Sequence, residues 1–197
     1  EFEVAELRVA EGETGFTLEL WSQEPELFSI GFLSPTGEQI GRIPNHTLTE
    51  QRITFVLENT VIYLNYQVAE ADTGSQLIVM RFVKPTPGIW RIRVYNSLYL
   101  RGEYHLWLPS KGFISDDTFF LRPSPDTVVT EPGNASQTIT AGAFNHRNGG
   151  IYIHSSRGYP RLGRVKPDLA APGVNVDGPG IQGSAGFPMR AMTGTSA

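Results

Sequence analysis

The segment TVIYLNYQVAEADTGSQLIVMRFV, residues 60–83, decides the fold class. Two runs rich in Val, Ile, Leu and Tyr, residues 60–69 and 75–83, flank a short polar stretch that contains Gly74. Apolar runs of this length, bounded by turn-forming residues, are typical of β-strands, and a glycine-containing turn between two of them indicates a hairpin. The segment therefore predicts two neighbouring antiparallel strands.

The same pattern continues on both sides of this hairpin, from residue 1 to about residue 110, with Gly, Pro, Asn or Asp between the runs. No stretch has the sustained apolar period near 3.6 that a helix requires. About eight short strands without an intervening helix predict two packed antiparallel sheets, a sandwich that resembles a jelly roll. The other strand-like runs are FEVAELRV (2–9), FTLELW (16–21), ELFSIGFLSP (26–35), QRITFVLE (51–58), GIWRIRVYN (88–96) and GEYHLWLP (102–109).

Three tryptophans fall inside these strand patterns: Trp21, Trp90 and Trp107. Exposed tryptophans on one sheet face would form a platform for sugar rings, whereas tryptophans in a sandwich more often pack in the core or at its rim. Because each lies within an alternating apolar run, the sequence favours packing.

Composition excludes several classes of function. The net charge of −4, with scattered Lys and Arg, gives no reason to expect a nucleic acid or an anionic membrane as partner. No apolar run approaches the roughly 18 residues that a membrane span needs, and no signal peptide opens the sequence. The absence of cysteine excludes disulfides and thiolate metal sites. No residue cluster indicates a metal ion or a cofactor.

From residue 111 onward the pattern changes. A long polar connection, KGFISDDTFFLRPSPDTVVTEPGNAS (111–136), is followed by short strand-like pieces separated by Gly and other small residues. So few strands cannot bury a core alone, and this segment is therefore interpreted as one end of a larger domain.

Three stretches in this segment resemble the C-terminal part of the subtilisin-like serine peptidases (subtilases). They are TEPGNASQTITAGAFN (130–145), HSSRGYPRLGRVKPDLAAPGVNV (154–176) and MTGTSA (192–197). The stretch PTPGIWRIRVYNSLYLRGEYHLWLP (85–109) resembles the β-sandwich inserted in the catalytic domain of some bacterial subtilases, such as the clostridial spore-germination proteases.

This resemblance implies a mainly β chain with two parts. Residues 1–110 form an inserted, jelly-roll-like β-sandwich, and residues 111–197 form an incomplete α/β segment of a subtilase catalytic domain that ends at the serine motif. The resemblance also implies a bacterial source and is consistent with secretion or association with spores.

The resemblance assigns Ser196 as the nucleophile. In subtilases this serine opens a buried helix, whose N-terminal end and serine N–H stabilise the oxyanion. Gly194 and Thr195 form the tight entry to that turn and are expected to line the substrate site. A serine needs a histidine base and a carboxylate that orients it.

Neither the histidine nor the aspartate motif is recognisable in these residues. In subtilisin the order along the chain is Asp, His, Ser, so both partners would lie upstream. The chain is therefore expected to be inactive alone. None of the four histidines lies in a sequence that matches the histidine motif of subtilases, so none is assigned a catalytic role; they are His46, His105, His146 and His154. Asn134 lies in the turn after the position of the oxyanion asparagine and is not assigned a catalytic role either.

Weaker assignments follow from the same resemblance. Thr130 matches the floor of the pocket for the substrate side chain that precedes the cleaved bond, and the Glu131–Pro132 bond is expected to be cis. Thr193 stands where many subtilases have a substrate-contacting asparagine. Asp168 and Arg157 are interpreted as structural ion-pair or turn residues.

The motif Asp72-Thr73-Gly74-Ser75 resembles the active-site motif of aspartic proteases. Such an enzyme needs two carboxylates that share a proton, and the sequence has no second motif of this kind. Its place between two strand-like runs favours a hairpin turn.

Two functions from different classes stay open, besides a pseudoprotease whose partner residues have been lost. The first is a serine endopeptidase that acts on protein or peptide substrates. The second is a β-sandwich module that binds a partner without catalysis. Unpaired strand edges also predict self-association of the chain.

Overall fold

The computed structural model describes residues 1–45, 49–98, 100–161, 163–179 and 189–195. These residues form fourteen β-strands and no helix, and none of the described segments could cross a membrane as a long apolar helix. The strands are β1 (Phe2–Val9), β2 (Gly15–Ser22), β3 (Leu27–Leu33), β4 (Gln39–Ile43), β5 (Gln51–Thr54), β6 (Val61–Gln67), β7 (Gln76–Val83), β8 (Gly88–Leu98), β9 (Tyr104–Trp107), β10 (Phe119–Phe120), β11 (Ala141–Phe144), β12 (Leu169–Pro172), β13 (Val176–Pro179) and β14 (Met189–Met192).

The chain divides into two compact units, residues 1–123 and residues 124–197. The first unit contains two five-stranded sheets, with strand orders β10-β1-β8-β3-β4 and β5-β6-β7-β2-β9. Every pairing in both sheets is antiparallel. The predicted mainly β class and antiparallel sandwich are confirmed.

The first unit extends to residue 123 because β10 pairs with β1 at the edge of the first sheet. The assignment of residues 1–110 as an inserted domain and of residues 111–197 as part of a catalytic domain stays a prediction.

The core lies between the two sheets and consists of side chains from alternate positions along the strands. In β2 and β6 every second side chain is buried, as the period of two in a strand requires. Trp90 is fully buried, lies edge-on to Phe55 and Phe82, and donates from Nε1 to the carbonyl of Thr86 at 2.9 Å. The packing role predicted for this tryptophan is confirmed.

Two buried polar side chains join the sheets across this core. The Tyr66 hydroxyl of β6 donates to the carbonyl of Ile43 at 2.9 Å and accepts from the N–H of Ile30 at 3.1 Å. Gln76 of β7 bonds both the N–H and the carbonyl of Phe28, at 2.7 and 2.9 Å. Burial raises the pKa of Tyr66. Because each buried polar atom has a partner, these bonds fix how the two sheets align.

The motif at residues 72–75 lies in the turn between β6 and β7, as predicted. The N–H of Gly74 donates to the carbonyl of Glu70 at 2.8 Å, and Gly74 has a φ of 69°, which favours glycine. The Glu70 carboxylate accepts from the N–H groups of Asp72 and Thr73. The interpretation of these residues as a hairpin turn is confirmed.

A buried glutamate joins three loops at one end of the sandwich. Glu58 is 9% exposed, and its Oε1 accepts from the N–H of Thr36 at 3.1 Å and from the Thr36 hydroxyl. Its carbonyl accepts from the Thr86 hydroxyl at 3.3 Å. Burial alone would raise the pKa of Glu58, but hydrogen bonds from Ser34, Thr36 and Thr86 outweigh burial and lower it.

Replacing Glu58 with Gln should therefore destabilise the first unit by about 1–2 kcal/mol at pH 7, because a charged acceptor is lost from a buried site. A lowered carboxyl pKa adds stability above the pKa of the unfolded chain, and this stability is lost as the pH falls through the folded pKa. The difference from wild type should therefore shrink in acid. Urea unfolding at pH 7 and near pH 3 measures both values. The exposed Glu11→Gln is the control with the same charge change, and a difference that grows in acid would contradict the assignment.

The second unit has two small sheets. Strands β11 and β12 pair in parallel, and β13 and β14 pair antiparallel. A parallel pair needs further strands or helices to cover its faces. The described part of this unit contains only these four strands.

Candidate active site

The described chain ends at the entry to the serine motif. Strand β14 pairs with β13, from Val176 opposite Met192 to Pro179 opposite Met189, and Thr193, Gly194 and Thr195 follow it. Ser196, the predicted nucleophile, lies outside the described residues. The structure therefore describes the residues that precede Ser196 and not Ser196 itself.

Two hydrogen bonds attach this entry to the segment that follows β12. The N–H of Gly194 donates to the carbonyl of Gly173 at 2.9 Å. The hydroxyl of Thr193 accepts from the N–H of Asn175 at 2.9 Å and lies 3.5 Å from Asn175 Oδ1. Asn175 has a φ of 50°, a left-handed conformation that asparagine tolerates better than most residues. The entry is thus held at two successive residues.

Gly173 connects this entry to the parallel sheet. Its N–H donates to the carbonyl of Phe144 at 2.9 Å, which continues the β11–β12 pairing by one residue. A Cβ at Gly173 would lie 2.6 Å from the Cβ of Ala143 and 2.8 Å from the carbonyl oxygen of Gly194. Both distances are too short for any side chain. The glycine of the Ala-Pro-Gly motif is therefore required for this close approach.

A buried lysine supports the start of β12. Lys166 is 6% exposed, and its ammonium group bonds Asp168 Oδ2 at 2.7 Å and the carbonyl of Thr138. Asp168 Oδ2 also accepts from the N–H of Thr140 at 2.7 Å. The hydrogen bonds from Lys166 and Thr140 lower the pKa of Asp168. The ion-pair role predicted for Asp168 is confirmed, and its partner is Lys166.

Arg157 is exposed, and its carbonyl accepts from the N–H of Val128 at 2.9 Å. Nearby, the Ser155 hydroxyl is buried and accepts from the N–H of Ala143 in β11 at 2.9 Å. The Ser-Ser-Arg-Gly stretch thus supports the parallel strands through a side chain and a backbone carbonyl.

Thr130 lies exposed at the start of the Pro-Gly turn. Its carbonyl accepts from the N–H of Asn134 at 3.3 Å, and the Thr140 hydroxyl donates to the carbonyl of Gly133 at 2.5 Å. The Glu131–Pro132 bond is cis, as expected. The role of Thr130 in a substrate pocket stays a prediction.

The described histidines lie in different parts of the structure. His105 is in β9, and its ring stacks on that of Trp107 with centroids 6.0 Å apart. His146 lies exposed in a turn, and His154 is edge-on to Tyr152 at 5.2 Å. His46 lies outside the described residues.

Two of the three tryptophans are outside the core. Trp21 and Trp107 are half-buried, and the register places Trp21 opposite His105 and Trp107 opposite Glu19 on neighbouring strands. Trp21 donates from Nε1 to Glu19 Oε2 at 2.9 Å. These side chains share the outer face of the sheet β5-β6-β7-β2-β9, and of the three tryptophans Trp90 alone lies in the core.

Sequence reasoning missed three residues of this support: Lys166, Gly173 and Asn175. All three lie in the stretch 154–176 that carries the resemblance to subtilases, so a signal was present. The signal did not reveal that Gly173 contacts Gly194, since the two are separated by 20 intervening residues in the sequence.

Two comparisons with known proteins found similar proteins. Residues 121–197, which include the serine motif, match the Subtilase family. The chain is also similar to a solved structure described as that of the Clostridium perfringens CspB protease. The sequence identity is 26% and the TM-score is 0.84, and the match covers 99% of this chain and 40% of that chain. A comparison with curated protein sequences gave no significant match.

The resemblance to subtilisin-like peptidases inferred from the motifs is confirmed by both matches. This chain spans less than half the length of the protease that it matches.

Proposed function

We propose that this chain is part of a subtilisin-like serine endopeptidase in which Ser196 is the nucleophile. The observation that carries the proposal is the match of residues 121–197 to the Subtilase family, because this range contains the Gly-Thr-Ser motif. The similarity to a protease over nearly the whole chain supports it independently.

The chemistry assigns each group a role. Ser196 Oγ attacks the carbonyl carbon of the scissile bond, and its proton passes to a histidine encoded upstream. The carbon–nitrogen bond then breaks, the amine leaves with that proton, and water hydrolyses the acyl ester on Ser196. The N–H of Ser196 donates to the oxyanion at the start of the helix that it opens. Gly194 and Thr195 line the approach, and Thr130 narrows the pocket for the side chain before the cleaved bond.

The hydroxyl of Thr193 already accepts from the N–H of Asn175. This bond favours a supporting role for Thr193 over the substrate contact that an asparagine makes in related enzymes. Substrate contacts near the serine therefore come from the backbone of residues 193–195.

The exposed apolar side chains of the second unit support its interpretation as part of a larger domain. Ile139, Ile153 and Val165 are 83%, 84% and 70% exposed. A small unit with several apolar side chains this exposed is normally covered by other protein surfaces. The remaining strands and helices of a subtilase domain would cover them, and self-association of the isolated chain would be the alternative.

The proposal is tested by the inhibitor profile of the full-length protein that contains this chain. Hydrolysis of a denatured protein substrate should be blocked by a sulfonyl fluoride and unaffected by a metal chelator or by a transition-state inhibitor of aspartic proteases. Residues 1–197 alone should not react with the sulfonyl fluoride. The proposal would be overturned if the metal chelator or the aspartic protease inhibitor blocked hydrolysis. It would also be overturned if residues 1–197 alone reacted with the sulfonyl fluoride as fast as the full-length protein does.

The second candidate function is a binding module, which the half-buried Trp21 and Trp107 favour. Absence of any hydrolysis by the full-length protein, together with a ligand-dependent change of the fluorescence of these two tryptophans, would support this candidate. An upstream sequence without the aspartate or histidine motif would assign a pseudoprotease.

A further inference from the structure

One face of the first sheet concentrates positive charge. Arg8 of β1, Arg91 and Arg93 of β8 and Arg42 of β4 point away from the core, in strands where the alternate residues are buried. We call these four residues the arginine face. The pairing register places β8 between β1 and β3, with β4 beyond β3, so the four side chains share one surface.

This surface is basic within an acidic chain. Among the outward positions of the described strands in this sheet, Glu6 is the one carboxylate, and it pairs with Arg91 at 3.0 Å. Four arginines and one glutamate give 4 − 1 = +3, so the rest of the chain carries −4 − 3 = −7. Within the described part of the chain, no carboxylate forms an ion pair with Arg8, Arg42 or Arg93.

Aromatic rings hold the unpaired guanidinium groups in place. Arg42 lies 5.7 Å from the ring centroid of Tyr95, Arg93 lies 5.1 Å from that of Phe2, and Arg8 lies 5.7 Å from that of Phe119.

Arg42 also donates to the hydroxyls of Ser29 and Ser97, at 2.7 and 2.8 Å. A guanidinium fixed in this way loses less conformational entropy when it binds a carboxylate, and its planar donors match two carboxylate oxygens.

Exposed apolar side chains lie among the arginines. Phe2, Val4, Ile89 and Phe119 are 49%, 41%, 37% and 39% exposed. Aromatic residues and arginine are enriched where protein surfaces bind one another, and a mixed surface of this kind gives both apolar burial and charge pairing.

We propose that the arginine face binds an acidic polypeptide segment that also carries apolar side chains. The arginine face carries a charge of +3, whereas the rest of the chain carries −7. A short acidic segment can bind this face alone, whereas a long polyanion such as nucleic acid would also meet the negative charge around it. A guanidinium group lies over the rings of Phe2, Tyr95 and Phe119, and the ring face that it covers is closed to base stacking. The proposal does not depend on peptidase activity.

The test uses the 197-residue chain and a fluorescein-labelled peptide of twelve residues in which Glu alternates with Leu and Phe. Fluorescence polarisation measures its Kd at low salt. Replacing both Arg8 and Arg93 with Gln should weaken binding about tenfold, since two exposed charge contacts of roughly 0.7 kcal/mol each are lost. The matched control replaces Arg52 and Arg81 with Gln, because both residues lie in the other sheet. The guanidinium group of Arg81 also lies over an aromatic ring, 4.5 Å from the ring centroid of Tyr63. This control should change the Kd less than twofold.

Three results would overturn the proposal. They are equal weakening by both double variants, no saturable binding by the wild type, and tighter binding of a single-stranded oligonucleotide of the same charge than of the peptide. A peptide in which Ser replaces Leu and Phe should bind more weakly than the original, and equal binding would remove the apolar part of the proposed surface. Urea unfolding of each variant verifies that the sandwich is intact.

Discussion

Replacing Ser196 with alanine in the full-length protein is expected to lower kcat for peptide hydrolysis by about 10⁴–10⁶-fold. The alanine removes the atom that forms the acyl intermediate, and the remaining groups can stabilise the oxyanion only for direct attack by water. The KM should change little, because the backbone of residues 193–195 still binds the substrate. Initial rates over a range of peptide concentrations separate the two parameters.

The matched control for this change is Ser156→Ala. Ser156 is exposed and belongs to the Ser-Ser-Arg-Gly stretch, so its loss removes a hydroxyl without touching the serine motif. Its kcat should stay within about twofold of wild type, as expected for a surface substitution. A Ser196→Ala enzyme that retains more than a hundredth of the wild-type kcat would show that another residue carries the reaction.

Replacing Gly173 with alanine is expected to give the second largest effect. The new methyl group would meet the Cβ of Ala143 and the carbonyl oxygen of Gly194, and neither is the end of a flexible side chain. The backbone of residues 173 and 194 must therefore separate, which breaks the hydrogen bond between them. A displacement of about 1 Å near a reacting group costs roughly 10²-fold in rate, and kcat should fall by about that factor.

Two measurements distinguish this effect from general unfolding. Urea unfolding should show that the Gly173→Ala protein is folded. The control is Gly41→Ala, because a Cβ at Gly41 would have no atom within 4 Å. Thr193→Ala removes the second attachment, to Asn175, and should lower kcat in the same direction. A Gly173→Ala enzyme with wild-type kcat would mean that the contact with Gly194 does not position the serine.

Eight of the ten strands of the sandwich were predictable from apolar runs bounded by turn residues, whereas the short strands β4 and β10 were missed. The apolar runs at residues 60–69 and 75–83 predicted the β6–β7 hairpin, and the absence of a second motif favoured a turn over an aspartic protease site at Asp72. Trp90 lies in the core because it shares the buried face of β8 with Ile92 and Val94. The motifs of the second unit carried the resemblance to subtilases, and the Subtilase family model matches residues 121–197.

Interactions between residues distant in the sequence were not predictable. Glu58 is buried because the loops that contain Thr36 and Thr86 meet its carboxylate and its carbonyl, and its neighbours in the sequence do not reveal those loops. The four residues of the arginine face share a surface only after the strand order is known. The same holds for Trp21 and Trp107, whose partial exposure depends on the pairing of β2 with β9.

The most direct measurement is the location, by peptide mass spectrometry, of the adduct that a fluorophosphonate forms with the native full-length protein. The proposed mechanism predicts a single adduct on the peptide that contains Ser196, and none after the protein is denatured before labelling. An adduct confined to a different serine, or active hydrolysis without any adduct on Ser196, would contradict the assignment of this residue as the nucleophile.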